Sequence, residues 1–459
     1  MTLKETLENY SKSDIYPFHM PGHKRMLKDA YSIDMTEVEG VDDLHDPTGV
    51  IAAEQQRLAK LYNAKESFIL VGGSTVGNLS AIYGCCHEGD LVLIQRNSHK
   101  SVYNATILRH LRVEYIYSNQ DENGIFNTVT LDDITRSIEA LGKEKPRAIV
   151  ITSPTYEGFI CDIDKIAAYC HRLNIILIVD EAHGAHLGFH QSFNGQTVSA
   201  ADVTIMSLHK TLPCLTQTAA LHISGDRVDS RRIREALDIF ETSSPSYVLM
   251  SSVSECLDYL EKAEDYFNTY VDKLTEFYKL GGQLKHLSLY EANPEIRDMG
   301  KLVISTKNTN ITGVELARIL RENYKLETEL SSFSYVLAMT SVMDSNEGFD
   351  RLKKALLEID SGLKSGRAQV VSLDYSSSNE IRNKAMEPWE AKAKNGKLTI
   401  IDKAQGEICQ DSICLYPPGS PIIVPGERIT KGAIEMIQQA KATGIHVTGI
   451  NNGCISIVN

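Results

Sequence analysis

The chain has 459 residues, enough for two or three domains with their own cores, and its 42% hydrophobic and 23% charged content is that of an ordinary globular protein. Lys+Arg 47 against Asp+Glu 60 leaves a net charge of -13, which argues against a nucleic-acid surface and favours a cationic small partner. Nine cysteines form no CxxC pair, so reduced thiols in a cytoplasmic compartment are expected rather than a disulfide framework.

In chain order, the opening MTLKETLENYSKSD lacks the apolar core of a signal peptide, and no later apolar run is long enough to span a bilayer. A cytoplasmic protein with no membrane or nucleic-acid partner is expected. Residues 1–50 hold YPFHMPGHKR and DDLHDPTG, rich in Pro, Gly and His, and read as an irregular arm that packs on a partner or covers a site. Helical periodicity starts at IAAEQQRLAKLYNA (51–64), with Ile51, Leu58, Leu61 and Tyr62 recurring on one face. Strand-like and helical stretches then alternate. SFILVGG (67–73) reads as a strand and STVGNLSAIYGCC (74–86) as a helix; DLVLIQRN (90–97) and SHKSVYNATILRH (98–110) repeat the pair. RAIVITSP (147–154), NIILIVDEAHG (174–184) and DVTIMS (202–207) are further apolar strands. Continuous apolar strands separated by helices predict an α/β fold with a mostly parallel central sheet covered on both faces, whose chemistry gathers at the strands' carboxyl ends.

A second pattern begins near residue 290. KLVISTK, TGVELARILRENY, LETELSSFSYVLAMTS and EGFDRLKKALLEID read as strand, helix, one or two strands and helix. SGLKSGR (361–367) is the linker candidate. Beyond it lies a short helical stretch, and then YPPGSPIIVPGE (416–427), whose prolines and glycines exclude helix or central strand and suggest a site wall. The expected organisation is an arm over 1–50, a large cofactor-binding domain over 51–285, a small α+β domain over 286–365 and a C-terminal domain over 366–459.

Three short stretches at strand ends carry complementary chemistry. GGST (72–75) turns tightly and opens a helix whose free N–H groups favour an anion, with Ser74 and Thr75 at its start. Asp180 ends an apolar strand in VDEAHGAH, where a carboxylate needs a partner or a proton. His183, His186 and His190 follow it, but they sit in a Gly-containing turn at a spacing that matches no metal motif, so no metal is expected. Lys210 stands just past the next strand in SLHKTLPCLTQ, flanked by Ser207 and His209. Alone it reads as a loop lysine. At a strand end against buried walls its ammonium is disfavoured, which makes it a candidate amine nucleophile for a carbonyl cofactor. A phosphate cradle, an acid for a pyridinium nitrogen and a later lysine, in that order on one sheet, are the parts that pyridoxal 5'-phosphate requires.

The chain resembles the ornithine/lysine/arginine decarboxylase family of pyridoxal-phosphate enzymes, with the aspartate-aminotransferase-like fold. The resemblance runs through PFHMPGHK, GVDDLHDPTG, RNSHKS, SPTYEG, VDEAHGAH, SLHKTLPCLTQ, TSSPSY and YPPGSPIIVPGE, nearly the whole chain. It implies that Lys210 carries the cofactor, Asp180 partners the pyridine nitrogen, and His99 stacks on the ring. It places Ser74, Thr75, Ser207 and His209 on the phosphate, His183 near the phenolic oxygen, and Glu427 toward the far end of a basic substrate. The chain begins almost directly at the PGHK arm, without the response-regulator-like domain of the large inducible members, and so is similar to the shorter Bacillus-type arginine and lysine decarboxylases. Decarboxylation of a basic amino acid, supplying polyamine biosynthesis, is the implied activity. Arginine is favoured over lysine and ornithine by the resemblance to the shorter subfamily alone. The alternatives are another reaction on the same cofactor, such as transamination, and a non-catalytic regulatory homologue. The fold further implies a homodimer or larger assembly with sites at the interface.

Overall fold

Runs of Val, Ile and Leu form the strands of the computed structural model, which describes residues 14–18, 42–291, 293–366, 384–416 and 421–459. PGHK (21–24) and residues 417–420 of the proline-rich stretch lie outside the described residues. After β1 (Tyr16–Phe18) comes a large unit: α1 (Val50–Leu61), β2 (Glu66–Leu70), α2 (Gly73–Cys85), β3 (Leu91–Gln95), α3 (Lys100–Leu108), β4 (Arg112–Ile116) and α4 (Leu131–Ala140). It continues with β5 (Ala148–Thr152), α5 (Ile163–Arg172), β6 (Ile176–Asp180), β7 (Val203–Met206), α6 (Leu208–Thr211), β8 (Ala219–Ile223), α7 (Ser230–Phe240), α8 (Tyr247–Leu260) and α9 (Ala263–Tyr278).

Strands β2 to β8 form one seven-stranded sheet in the order β2-β8-β7-β6-β5-β3-β4. β4, β3, β5, β6 and β7 pair in parallel, and only β8 runs against its neighbours. Alternate residues face opposite ways, so each strand feeds two cores. Ala148, Val150, Ile176 and Ile178 pack with α2, while Ile149, Ile151, Leu177 and Val179 pack with α4 and α5. That double burial is why these strands are apolar at every position rather than at every second one. Helix α2 lies directly on the sheet: a Cβ on Gly77 would stand 2.5 Å from Ile205 Cγ2 of β7, so only glycine permits the approach. The DDLHDPTG stretch has a local role. Asp42 accepts from the backbone N–H groups of Thr48, Gly49 and Ile51 at 2.8–2.9 Å and so caps α1. Burial raises its carboxyl, but these N–H donors outweigh that and hold it down at about 2.

The small unit comprises β9 (Ser288–Leu289), β10 (Lys301–Ser305), α10 (Gly313–Tyr324), β11 (Leu326–Thr328), β12 (Leu330–Ser331), β13 (Tyr335–Met339) and α11 (Asn346–Gly362). Its four-stranded antiparallel sheet has the order β12-β13-β10-β9. One face, with Leu302, Ile304, Val336 and Ala338, packs on α10, α11 and α9. The other face, with Val303, Leu330, Tyr335 and Leu337, meets Ile125 and Tyr156 of the large unit. β1 pairs in parallel with β11, so the described part of the arm adds to the small unit of its own chain.

The C-terminal unit holds α12 (Pro388–Ala393), β14 (Gly396–Ile400), β15 (Ile413–Tyr416), β16 (Pro421–Ile423), α13 (Lys431–Ala442), β17 (His446–Thr448) and β18 (Cys454–Val458). β14 pairs with β18, and β15 lies between β16 and β17. Pro421 opens β16, an edge strand, where its missing N–H does no harm. Among the described residues no helix is long and apolar enough to cross a membrane.

Candidate active site

Because β3, β5, β6 and β7 are parallel, their carboxyl ends meet at one edge, and a cavity of about 600 Å³ opens there. The small unit lines it with Glu329, Ser331 and Tyr335, and the C-terminal unit closes it with Leu415, Pro421 and Ile422. Pro421 and Ile422 of the proline-rich stretch are thus part of a wall, as its composition suggests. Ser74, Thr75, His99, Asp180, His183, Ser207, His209 and Lys210 all line this one cavity.

At one end stands the start of α2. Ser74 and Thr75 do not cap it: the N-cap is Gly72, without a side-chain cap, and Gly73 has φ +73°. The helix already starts at Gly73, so both lie within its first turn, and Ser74 Oγ lies 2.6 Å from Ser207 Oγ. The uncapped first turn therefore turns its N–H groups and two hydroxyls to the cavity. His209 Nδ1 donates to the Thr218 carbonyl at 2.7 Å.

Asp180, 2% exposed, accepts from Asn78 Nδ2 at 2.9 Å and from the Ala182 N–H at 3.1 Å. The Asn78 amide also donates to Ser101 Oγ at 2.9 Å, and Ser101 Oγ lies 2.8 Å from His99 Nδ1. The Ser101 N–H donates to the same nitrogen at 3.2 Å, which makes Nδ1 an acceptor and leaves the His99 proton on Nε2. Burial lowers this histidine to about 4 against the pull of Asp180, so it is neutral at ordinary pH.

Lys210 Nζ lies 3.0 Å from His183 Nε2, and Lys301 Nζ lies 3.0 Å from His183 Nδ1. Burial holds the Lys210 amine below its usual range, against Asp180 and Glu329. Burial first, then the two lysines, push His183 well below its own. The Tyr156 ring covers His183 at 4.4 Å between centroids. The other histidines of the run go elsewhere: His186 Nε2 is 3.2 Å from Asp298, and His190 Nε2 is 3.1 Å from Asn268 Oδ1.

Glu427 is not where the resemblance puts it. It is 5% exposed and buried under the cavity wall, where both its oxygens are taken by Arg96, Nε at 3.0 Å and Nη2 at 2.8 Å. The Val424 N–H adds a third bond at 3.0 Å. Arg96 also donates to the carbonyls of Pro421 and Ile422, so the pair fastens the wall to the end of β3. With both oxygens turned to Arg96, Glu427 does not line the cavity.

Residues 2–307 match the family model for the Orn/Lys/Arg decarboxylase major domain, and residues 371–453 match the model for the C-terminal domain of the same enzymes. The chain belongs to the Orn/Lys/Arg decarboxylase family. It is similar to an arginine decarboxylase of Bacillus subtilis, 30% identical over 98% of this chain and 96% of the relative. An arginine decarboxylase of Halalkalibacterium halodurans is 28% identical over 96% of this chain and 93% of its own. Among solved structures, the lysine decarboxylase LdcF of Francisella novicida superposes with a TM-score of 0.79 at 18% identity, covering 99% of this chain and 80% of that one. The α/β fold with its mostly parallel sheet is therefore the fold of this decarboxylase family, and the chain is a decarboxylase.

Within the family site, the sequence does not single out Asn78, Ser101, Lys301, Glu157 or Glu329. Asn78 carries a faint signal, four residues after Ser74 and so on the same helix face. Lys301 carries none, because its histidine is 118 positions away.

Proposed function

We propose that this decarboxylase uses pyridoxal 5'-phosphate to convert a basic L-amino acid, arginine before lysine and ornithine, into its amine and carbon dioxide, an amine of the kind polyamine synthesis uses. The observation that carries the reading is the convergence of the Lys210 amine and the Asp180 carboxylate on one cavity from adjacent strands. The residues fit the cofactor. Buried Asn78 Oδ1, Ser118 Oγ and Thr152 Oγ1, all on cavity-lining residues, have no partner among the described residues, as expected where a polar molecule completes the site. Lys210 would attach the cofactor, Asp180 would hold a proton on its ring nitrogen, and His99 would lie against its ring. Ser74, Thr75, Ser207 and the first turn of α2 would take its phosphate. His209 would join them only when its ring carries a second proton, because Nδ1–H is committed to Thr218. Bound there, the cofactor supplies an electron sink for the pair released at Cα when carbon dioxide leaves.

For the substrate's distal cation the cavity offers two carboxyls in place of Glu427. Glu157, 8% exposed, accepts from Tyr335 Oη at 2.7 Å, and Glu329 accepts from Tyr156 Oη. Burial raises Glu157, a cost that an entering ammonium or guanidinium relieves. A homodimer or larger assembly, with sites at its interface, is part of the same proposal and is read by light scattering.

The test is carbon dioxide release from arginine, lysine, ornithine and the uncharged norleucine, with cofactor supplied and no keto acid. Release is expected from arginine first and none from norleucine, and Lys210→Ala is expected to abolish it. Turnover that requires a keto acid would replace this reading with transamination; no turnover and no cofactor trapped on Lys210 by borohydride would remove it.

A further inference from the structure

Lys301 opens β10 and is 1% exposed, among the largest fully buried side chains of the protein. On its strand it shares a face with Val303, the face turned toward the large unit. Its ammonium end reaches His183 Nδ1 at 3.0 Å and Met339 Sδ at 2.8 Å. On the other side of the same ring Lys210 stands 3.0 Å from Nε2. One imidazole thus has an amine on each nitrogen.

Counting protons restricts what this can mean. A neutral imidazole has one donor and one acceptor, and an ammonium can only donate. Two ammonium groups cannot both be served by one neutral ring. An imidazolium would donate at both nitrogens and need two free amines, with its own charge buried between them. The arrangement that satisfies every atom has one ammonium, one neutral ring and one free amine. Carboxylates near each amine bear on which is charged. Met339 Sδ accepts from Lys301 whether that amine is charged or neutral. Asp298 lies close by on the same turn; burial works against its charge, but His186 and Lys301 keep it ionised. The groups facing Lys210 are Asp180 from β6, Glu329 from the turn between β11 and β12, His183, and His99 from the start of α3.

We propose that Lys301 is a positioning residue for Lys210: its ammonium donates to Nδ1 of His183, fixes the ring proton on Nε2, and so makes the ring a donor that holds the Lys210 amine unprotonated. His183 then presents an N–H, not a lone pair, to whatever occupies the Lys210 side of the cavity. This deepens the assignment of Lys210 as the cofactor-carrying amine and rests on it, but concerns a property of the protein before any cofactor is bound.

The test reads the amine directly. Cofactor-free protein is pulse-labelled with acetic anhydride across pH, and the Lys210 peptide is quantified by mass spectrometry in wild type, Lys301→Met and Lys301→Arg. Lys301→Met is expected to move the half-labelling pH of Lys210 upward by about one unit, roughly a tenfold loss of label at a pH below both midpoints, and Lys301→Arg to stay near wild type. An unchanged profile in Lys301→Met overturns the proposal. Since a buried lysine is also a structural risk, the wild-type ring is read independently. In 15N-histidine spectra, with the His183 signals assigned by their loss in His183→Gln, the proton is expected on Nε2, and a proton on Nδ1 overturns the proposal. Borohydride trapping of pyridoxal 5'-phosphate on Lys210 in the wild type checks the underlying assignment separately.

Discussion

Asp180 keeps its carboxylate at the end of a fully buried strand by dividing it between the Asn78 amide and the Ala182 N–H. The same amide holds Ser101, and Ser101 holds His99, so one side chain orients both the acid and the ring-facing histidine. Asn78→Ala removes a hydrogen bond to a charged group, about 1.5–3 kcal/mol, and is expected to speed cofactor loss on dialysis by roughly 10- to 100-fold. Absorbance of the retained cofactor measures it; retention equal to wild type would leave Asn78 without this role. Much of the site is visible in the sequence because Asp180 and Lys210 each stand where an apolar run ends, and a polar residue there has few ordinary reasons to exist, whereas His99 is marked by the family resemblance alone. Lys301 is hidden because a residue acting through a neighbour distant in sequence leaves no local pattern, and Asn78 leaves only the faint one of its spacing from Ser74. Glu427 shows the opposite failure: its motif is plain, but whether a carboxylate meets a substrate or an arginine depends on which side chain reaches it first.

At the scale of elements, the cavity wall belongs to a separate unit whose contacts with the large unit include the Trp389 ring stacked on His110 and Lys384 bonded to Glu114. Arg96 at the end of β3 and Glu427 after β16 form the buried fastening, and Glu387 adds a bond to the Val113 N–H at 2.9 Å on β4. Removing one partner of a buried pair leaves an uncompensated charge and costs about 3–5 kcal/mol, whereas replacing both by apolar groups is often neutral. Glu427→Gln is therefore expected to lower the urea midpoint clearly, and Arg96→Met with Glu427→Met to be more stable than either single change. A Glu427→Gln protein of wild-type stability but raised KM would restore the substrate role. Elements with double-sided burial, such as β5, β6 and β7, are legible as apolar runs. β4 and β8 are not, although β8 is also buried at every position, because the short runs in Arg112–Ile116 and Ala219–Ile223 take their direction and pairing from partners far away in sequence. That is also why the one antiparallel strand of the sheet could not be foreseen.

For the whole molecule, burial of neutral histidines sets a direction for acid stability. His222 of β8 is fully buried, bonded to Ser67 Oγ at 2.7 Å, and burial pushes it down to about 3. Its folded value lies below the unfolded value of about 6.5, so the folded state binds fewer protons. Nothing is lost while both states are neutral, above about pH 7; below that the unfolded chain takes up its proton first, and stability falls until the folded value is reached. Between pH 7 and pH 5 this one group removes about 2 kcal/mol. His99, at about 4, acts in the same direction. Buried Glu157 and Glu181, raised by burial, act oppositely, since they cost stability as pH climbs past the ordinary carboxyl range. The histidine contribution is isolated by comparing wild type with His222→Asn, whose amide can still meet Ser67 but does not titrate. His222→Asn is expected to be less stable at pH 7 and yet to lose about 2 kcal/mol less on going to pH 5. Urea midpoints at the two pH values measure both, and parallel losses in the two proteins would mean that His222 is already protonated within the folded sheet.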